Sequence, residues 1–180
     1  MSPAQSPQAG PDARTLQDCR LGGKYLTFTL DGETYGLHIL KVREIIGPMP
    51  ITAIPRQPAY MKGVVNLRGK VIPIIDLRSK LALAEAETTD QTCIIVVDLP
   101  CLVGIVVDTV EEVAEIDSAD VEPPPELGTF QEASFILGLA KTENSVVILL
   151  DIEQTLGFQA LTDLAAAFPS VKETSPPPEN

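Results

Sequence analysis

Apolar positions along this chain recur in short runs, most of them alternating with polar residues at the period of a β-strand. Tyr25, Leu26, Phe28 and Leu30 predict a first strand, Asp31-Gly32 a tight hairpin turn, and Glu33–Ile39 the returning strand. Leu40–Ile46 keeps an apolar spacing that fits either a strand or one turn of helix. Pro48, Pro50, Pro55 and Pro58 then punctuate a loop around a short strand at Ile51–Ile54, and Ala59–Lys62 reads as a helical turn. Two β-rich runs, Gly63–Asn66 and Val71–Ile75, flank the polar connection Leu67-Arg68-Gly69-Lys70, a hairpin with Gly69 free to take positive φ. Pro73 inside the second run implies an edge or a bulge. Asp76 is placed to cap a helix over Leu77–Leu83. Beyond the polar link Ala84–Asp90, strands are expected at Thr92–Asp98, Leu102–Val107 and Val110–Ile116, and Ser118–Glu132 reads as irregular. Ile136–Ala140 and Val146–Leu150 pair across Lys141–Ser145, and Asp151 precedes a helix that breaks near Gly157 and runs toward Phe168.

The same pattern contains an internal repeat. A shift of 75 brings Gly63 onto Gly138, Val71 onto Val146, Asp76 onto Asp151 and Leu81 onto Leu156, without a gap. Upstream, a shift of 68 brings Gly36 onto Gly104, Val42 onto Val110, Glu44 onto Glu112 and Ile45 onto Val113. The seven-residue difference falls in the Pro-rich connection, where insertions are tolerated. The fold class is therefore all-β with a few short helices, built from two similar units of about 65 residues each. Short strands at this spacing point to small closed barrels, which remove exposed edges. The units run from about residue 24 to 91 and from 92 to 158, followed by a C-terminal helix at 159–168. Residues 1–23 and 169–180 lack either periodicity and are Pro-rich, so disordered ends are expected.

Composition removes several function classes. The chain has 180 residues, no Trp, 13 Lys and Arg against 25 Asp and Glu, and a net charge of −12. Such an acidic balance without a basic run argues against nucleic acid and anionic lipid. No apolar run approaches the eighteen or so residues of a membrane span, and no signal segment is visible, so a cytoplasmic protein without direct membrane insertion is expected. Cys19, Cys93 and Cys101 lack paired metal spacing and read as free thiols. His38 has no second histidine to complete a usual metal site, so neither metal nor cofactor is expected.

Catalytic constellations are equally scarce. No G-x-S-x-G elbow or glycine-rich phosphate loop occurs. The symmetric pair Asp76 and Asp151 invites comparison with an acid hydrolase dyad, but Leu77-Arg78 and Ile152-Glu153 follow them instead of the small-residue turn such a dyad needs. Helix capping accounts for both. What does distinguish the two units is the hairpin tip, Leu67-Arg68-Gly69-Lys70 in the first and Thr142-Glu143-Asn144-Ser145 in the second. Shared positions serve the fold, and an unshared cationic tip in an acidic chain is a candidate for recognition.

The run Gly63-Val64-Val65-Asn66-Leu67-Arg68-Gly69 with Val71–Leu77 resembles the CheW family of chemotaxis coupling proteins. So do Tyr35-Gly36 followed by Val42-Arg43-Glu44-Ile45, and Val103-Gly104-Ile105-Val106-Val107-Asp108 followed by Val110. The resemblance spans about Lys24 to Leu156. It implies two pseudo-symmetric SH3-like five-stranded barrels packed side by side, and a non-catalytic adaptor between transmembrane chemoreceptors and the regulatory domain of the histidine kinase CheA. Chains of this kind also serve kinase pathways of surface motility or development. The resemblance further implies a groove between the barrels that receives the cytoplasmic helical hairpin of the receptor. Arg68 matches its motif arginine, Glu44 and Val42 match positions bordering the groove, and Asn66 and Gly63 match motif positions of contact or backbone geometry. No residue is assigned to the kinase contact.

Overall fold

The computed structural model describes residues 21–124 and 135–168. Of the termini expected to be disordered, residues 1–20, Cys19 among them, and 169–180 lie outside these residues, as do 125–134. Order begins earlier than expected, with Leu21 buried and its carbonyl accepting from the Tyr25 hydroxyl, and Gly23 opening the first strand. Eleven strands are present among the described residues: β1 (Gly23–Leu30), β2 (Glu33–His38), β3 (Val42–Ile46), β4 (Met61–Leu67), β5 (Lys70–Asp76), β6 (Cys93–Asp98), β7 (Leu102–Val107), β8 (Thr109–Ile116), β9 (Val121–Glu122), β10 (Ile136–Lys141) and β11 (Val146–Leu150). Helix α1 (Leu77–Lys80) follows β5, and α2 (Ile152–Leu156) and α3 (Phe158–Ala167) follow β11.

The strands form two sheets, ordered β8-β1-β2-β11-β10-β9 and β3-β6-β7-β5-β4. Each sheet has one parallel contact, β11 with β2 and β5 with β7, and is otherwise antiparallel. The two parallel contacts are copies of one another. Gly36 lies opposite Leu149 in one, and Gly104 lies opposite Ile74 in the other. A Cβ on Gly104 would stand 2.4 Å from the Ile74 Cδ1, so the glycine makes room for the side chain that crosses it. Gly63 and Gly138 mark a second shared crossing: Thr52 bridges to Val64 in one sheet, and Glu122 of β9 pairs with Leu139 in the other.

The two pseudo-symmetric β units are thus present, but each is assembled from both sequence repeats. The first sheet takes β1 and β2 from the first repeat and β8 to β11 from the second. The second sheet takes β3 to β5 from the first repeat and β6 and β7 from the second. The hairpins are exchanged reciprocally.

Strand alternation buries both faces of the central strands. Ile94 and Val96 pack with Val65, Ile72 and Ile74 inside the second sheet. Their neighbours Ile95 and Val97 turn the other way, toward Leu26, Phe28, Leu37 and Leu150 of the first sheet. Tyr25, Ile116, Ala140, Val147 and Leu149 form the corresponding inner cluster of the first sheet. The cluster between the sheets is larger than either inner cluster, so the two units share one core.

Local departures from expectation have identifiable causes. Leu40–Ile46 contains both readings in succession, a single 3-10 turn at Ile39–Lys41 and then β3. The expected strand at Ile51–Ile54 reduces to the one bridge at Thr52. In place of the helical turn expected over Ala59–Lys62 there is one hydrogen-bonded turn at Ala59–Tyr60, closed by the Met61 N–H donating to the Pro58 carbonyl, and β4 begins at Met61. The predicted helix Leu77–Leu83 stops at Lys80, where Ala82 enters the left-handed region at φ 58° and Leu83 N–H returns to the Arg78 carbonyl. The region read as irregular contains a 3-10 turn at Ser118–Asp120 and the two-residue β9. Pro73 is corrected more substantially. It lies in β5, an interior strand, just before pairing with β7 begins at Ile74, and the register shift of its hairpin falls at Met61/Gly63 instead.

Candidate functional site at the Arg68 hairpin

The β4–β5 hairpin closes through two residues, Arg68 at φ 51° and Gly69 at φ 86°. Positive φ at both central positions is the type I′ geometry, whose twist matches that of the flanking strands. Asn66 fixes this turn from below, its Oδ1 accepting the Gly69 N–H at 2.8 Å. The Asp31-Gly32 turn between β1 and β2 has the same two positive φ values, 52° and 80°. Arg in this conformation is less comfortable than Asp or Asn, which makes a guanidinium here an expensive choice for a turn residue.

Gly63 is buried under the 52–53 backbone, where a Cβ would lie 2.1 Å from the Thr52 carbonyl oxygen. It supports the hairpin by close approach and offers no surface of its own. Val42 is half-buried, pairs with Val97 and packs on the shared core. Two positions further along β3, past a register shift, Glu44 keeps about a quarter of its side chain exposed (27%). Its Oε1 accepts from Nη2 of Arg68.

That contact has a topological meaning. β3 and β4 are the two ends of the second sheet's strand order, so the sheet must curl for the β4–β5 tip to reach β3. The Arg68–Glu44 pair sits on the closing seam. Its arginine side chain is 73% exposed, and an ion pair so wet is worth about 0–1 kcal/mol. Stability therefore does not explain the placement of this cation. Around the pair lies a shallow pocket of about 210 Å³ lined by Arg43, Glu44, Leu67, Arg68, Lys70, Ile72 and Leu102. A larger cavity of about 400 Å³ lies between Pro58, Tyr60 and Met61 and the α3 residues Leu164 and Ala167, with no cation lining it among the described residues.

The remaining candidates have structural employment. Asp76 accepts the Arg78 N–H at 3.1 Å, and Asp151 accepts those of Glu153 and Gln154 at 3.1 and 3.3 Å. Both carboxylates cap helices, at the ends of strands in different sheets. His38 Nδ1 accepts the Leu40 N–H at 3.3 Å, and its ring meets Tyr25 edge-on at 5.2 Å. Burial pushes the Cys101 thiol up, away from the thiolate that reactivity requires. Among the described residues no three His, Cys, Asp or Glu side chains cluster as metal ligands would.

One charged cluster escaped the sequence reading. Arg78, with a side chain 12% exposed, donates from Nε to Asp108 Oδ1 at 2.7 Å, from Nη2 to Asp108 Oδ2, and from Nη1 to the Ala84 carbonyl at 2.7 Å. The Asp31 N–H also donates to Asp108, at 3.0 Å. The Arg78 guanidinium holds the Asp108 carboxyl below its ordinary range, and Asp108 in turn raises Arg78.

Comparison with known proteins decides the family. The CheW-like domain profile matches residues 24–159. This chain belongs to the CheW family. Among CheW relatives, chemotaxis protein CheW of Klebsiella aerogenes is 40% identical over 149 residues, covering 81% of this chain and 90% of that protein. Protein FrzA of Myxococcus xanthus is 30% identical over 136 residues, covering 75% and 84%. The crystal structure of the scaffolding protein TtCheW from Thermoanaerobacter tengcongensis superposes with a TM-score of 0.69 at 34% identity, covering 78% of this chain and 96% of that one. The all-β fold of two similar units inferred from the repeat is the fold observed, and the CheW resemblance read from the three motif runs is borne out.

Proposed function

We propose that this CheW-family chain is a non-catalytic adaptor that couples the cytoplasmic helical hairpin of transmembrane chemoreceptors to the histidine kinase CheA, with Arg68 at the receptor contact. The observation that carries the reading is the Arg68–Glu44 pair: an exposed guanidinium, displayed on a rigid two-residue turn, at the seam where the second sheet closes. A helix laid along that seam would meet apolar surface for affinity and a planar fork for placement. Glu44 borders the same seam and Val42 stands two positions before it on β3, packed on the shared core, while Asn66 and Gly63 act on the receptor site through the shape of the hairpin. The capping roles of Asp76 and Asp151 support a protein without hydrolase activity. No described helix is long and apolar enough to cross a membrane, and recruitment to receptor arrays would run through the partners.

The test is co-sedimentation of the purified protein with receptor-containing membranes and CheA. Wild type is expected to form a ternary complex, and Arg68→Glu to lose receptor binding while retaining its fold. Wild type binding neither partner would end the adaptor reading. A second reading, the same scaffold acting on a kinase of a non-flagellar pathway, is favoured by the similarity to FrzA, a relative not named for chemotaxis. Arg68→Glu that keeps receptor binding but loses the kinase would move the assignment there.

A further inference from the structure

The internal repeat allows the Arg68 pocket to be compared with its own counterpart in the other half of the molecule. Arg43 corresponds to Glu111, Arg68 to Glu143 and Lys70 to Ser145, while Glu44 corresponds to Glu112. Four positions that carry three cations and one carboxylate in the second sheet thus carry three carboxylates and a serine in the first. The floor changes in parallel, with Leu67 replaced by Thr142. The backbone frame is shared, as the matching parallel contacts and hairpins show, so the difference resides in the side chains.

We propose that the Arg68 pocket takes a carboxylate-bearing face of the receptor helix, that Arg43 and Lys70 are further specificity-determining contacts, and that the charge-reversed counterpart excludes the same helix. This rests on the receptor reading of the site. Charge complementarity supplies the argument. In a chain of net charge −12, three cations line one pocket of about 210 Å³ over an apolar floor. Lys70 has no ion-pair partner among the described residues, and Arg43 has only Asp98 at 3.9 Å, beyond hydrogen-bond distance. Two of the three cations therefore keep their donors free, and Glu44 alone answers the third. A helix presenting a carboxylate beside an apolar residue three or four positions away fits such a pocket. A molecule with a pseudo-twofold would otherwise offer the helix two equivalent docking sites. Reversing the charges leaves one, and with it one orientation of the adaptor on the receptor.

The experiment measures binding to receptor-containing membranes across a KCl series, with thermal unfolding as the folding control. Lys70→Glu and Arg43→Glu are each expected to weaken binding about threefold to fivefold, the upper scale of one exposed charge contact, and to flatten its salt dependence. The triple variant Glu111→Arg, Glu143→Arg, Ser145→Lys is expected to restore binding to a Lys70→Glu, Arg43→Glu background. If Arg68→Glu abolishes binding while Lys70→Glu and Arg43→Glu bind as wild type does, the proposal falls and the receptor reading stands. If wild type does not bind the membranes, both fall together. Failure of the triple variant to restore binding overturns the exclusion by charge. If sedimentation of the protein alone shows an oligomer that Lys70→Glu dissolves, with membrane binding untouched, the occupant is a second copy of this chain and the proposal is wrong.

Discussion

At the scale of single residues, backbone geometry separates folding roles from recognition roles. Arg68→Asn keeps a residue that tolerates positive φ and removes only the guanidinium, so it should leave the melting temperature within about 2 °C of wild type while abolishing receptor co-sedimentation. Gly63→Ala should do the opposite kind of damage. Its Cβ would meet the Thr52 carbonyl oxygen at 2.1 Å in a backbone at φ 142°, and a loss of about 3 kcal/mol or more is expected in urea unfolding. These two neighbours in one motif were both visible in the sequence, but only their surroundings tell them apart. The positive φ at Gly69 was legible from the turn pattern; the burial of Gly63 was not, because the covering segment at Thr52 is held by a single bridge. The Glu44–Arg68 contact was likewise hidden, since it joins the opposite ends of a sheet's strand order.

Among elements, the capped helices behave as the sequence implies. Asp76→Ala and Asp151→Ala should each cost about 1 kcal/mol, with the Asn variants near wild type, as measured by denaturant midpoint. Asp151 accepts two backbone N–H groups where Asp76 accepts one, so its replacement should be the more damaging. Pro73 shows how element reading goes astray. A proline excludes ladder donation at one position only, and here that position precedes the start of pairing with β7, so an interior strand accommodates it. The helix after β5 was overextended for a similar reason: the apolar spacing continues through Leu81 and Leu83, but those residues pack on the shared core from a tight reversal.

For the whole molecule, the Arg78–Asp108 cluster ties α1 to the β7–β8 connection and the β1–β2 turn, which come from both repeats. Because the folded Asp108 carboxyl lies below its unfolded value near 3.9, its contribution is present above that pH and is lost as pH falls through the lowered folded value. Acid unfolding of Asp108→Asn should therefore show a shallower pH dependence below about pH 4 than wild type. Arg78→Met should cost about 2–3 kcal/mol at neutral pH, since it strands a half-buried carboxylate. The repeat itself was fully legible in the spacing of Gly36, Gly104, Gly63 and Gly138. Which copy pairs with which was not, because both arrangements satisfy the same alternation.

The reciprocal exchange of hairpins has a consequence for anything that severs the polar link between α1 and β6. Neither half-chain then owns a complete sheet: residues 21–90 hold β1 to β5, whose two groups belong to different sheets. Such a half can satisfy its strand edges only by intertwining with another chain, either the missing half or a second copy of itself. Two separately expressed halves should accordingly reconstitute the whole when mixed, and residues 21–90 alone should sediment as a twofold dimer or aggregate. In that dimer both ends would carry the arginine hairpin. Only a single chain, whose two halves are free to differ, can carry that hairpin at one end alone.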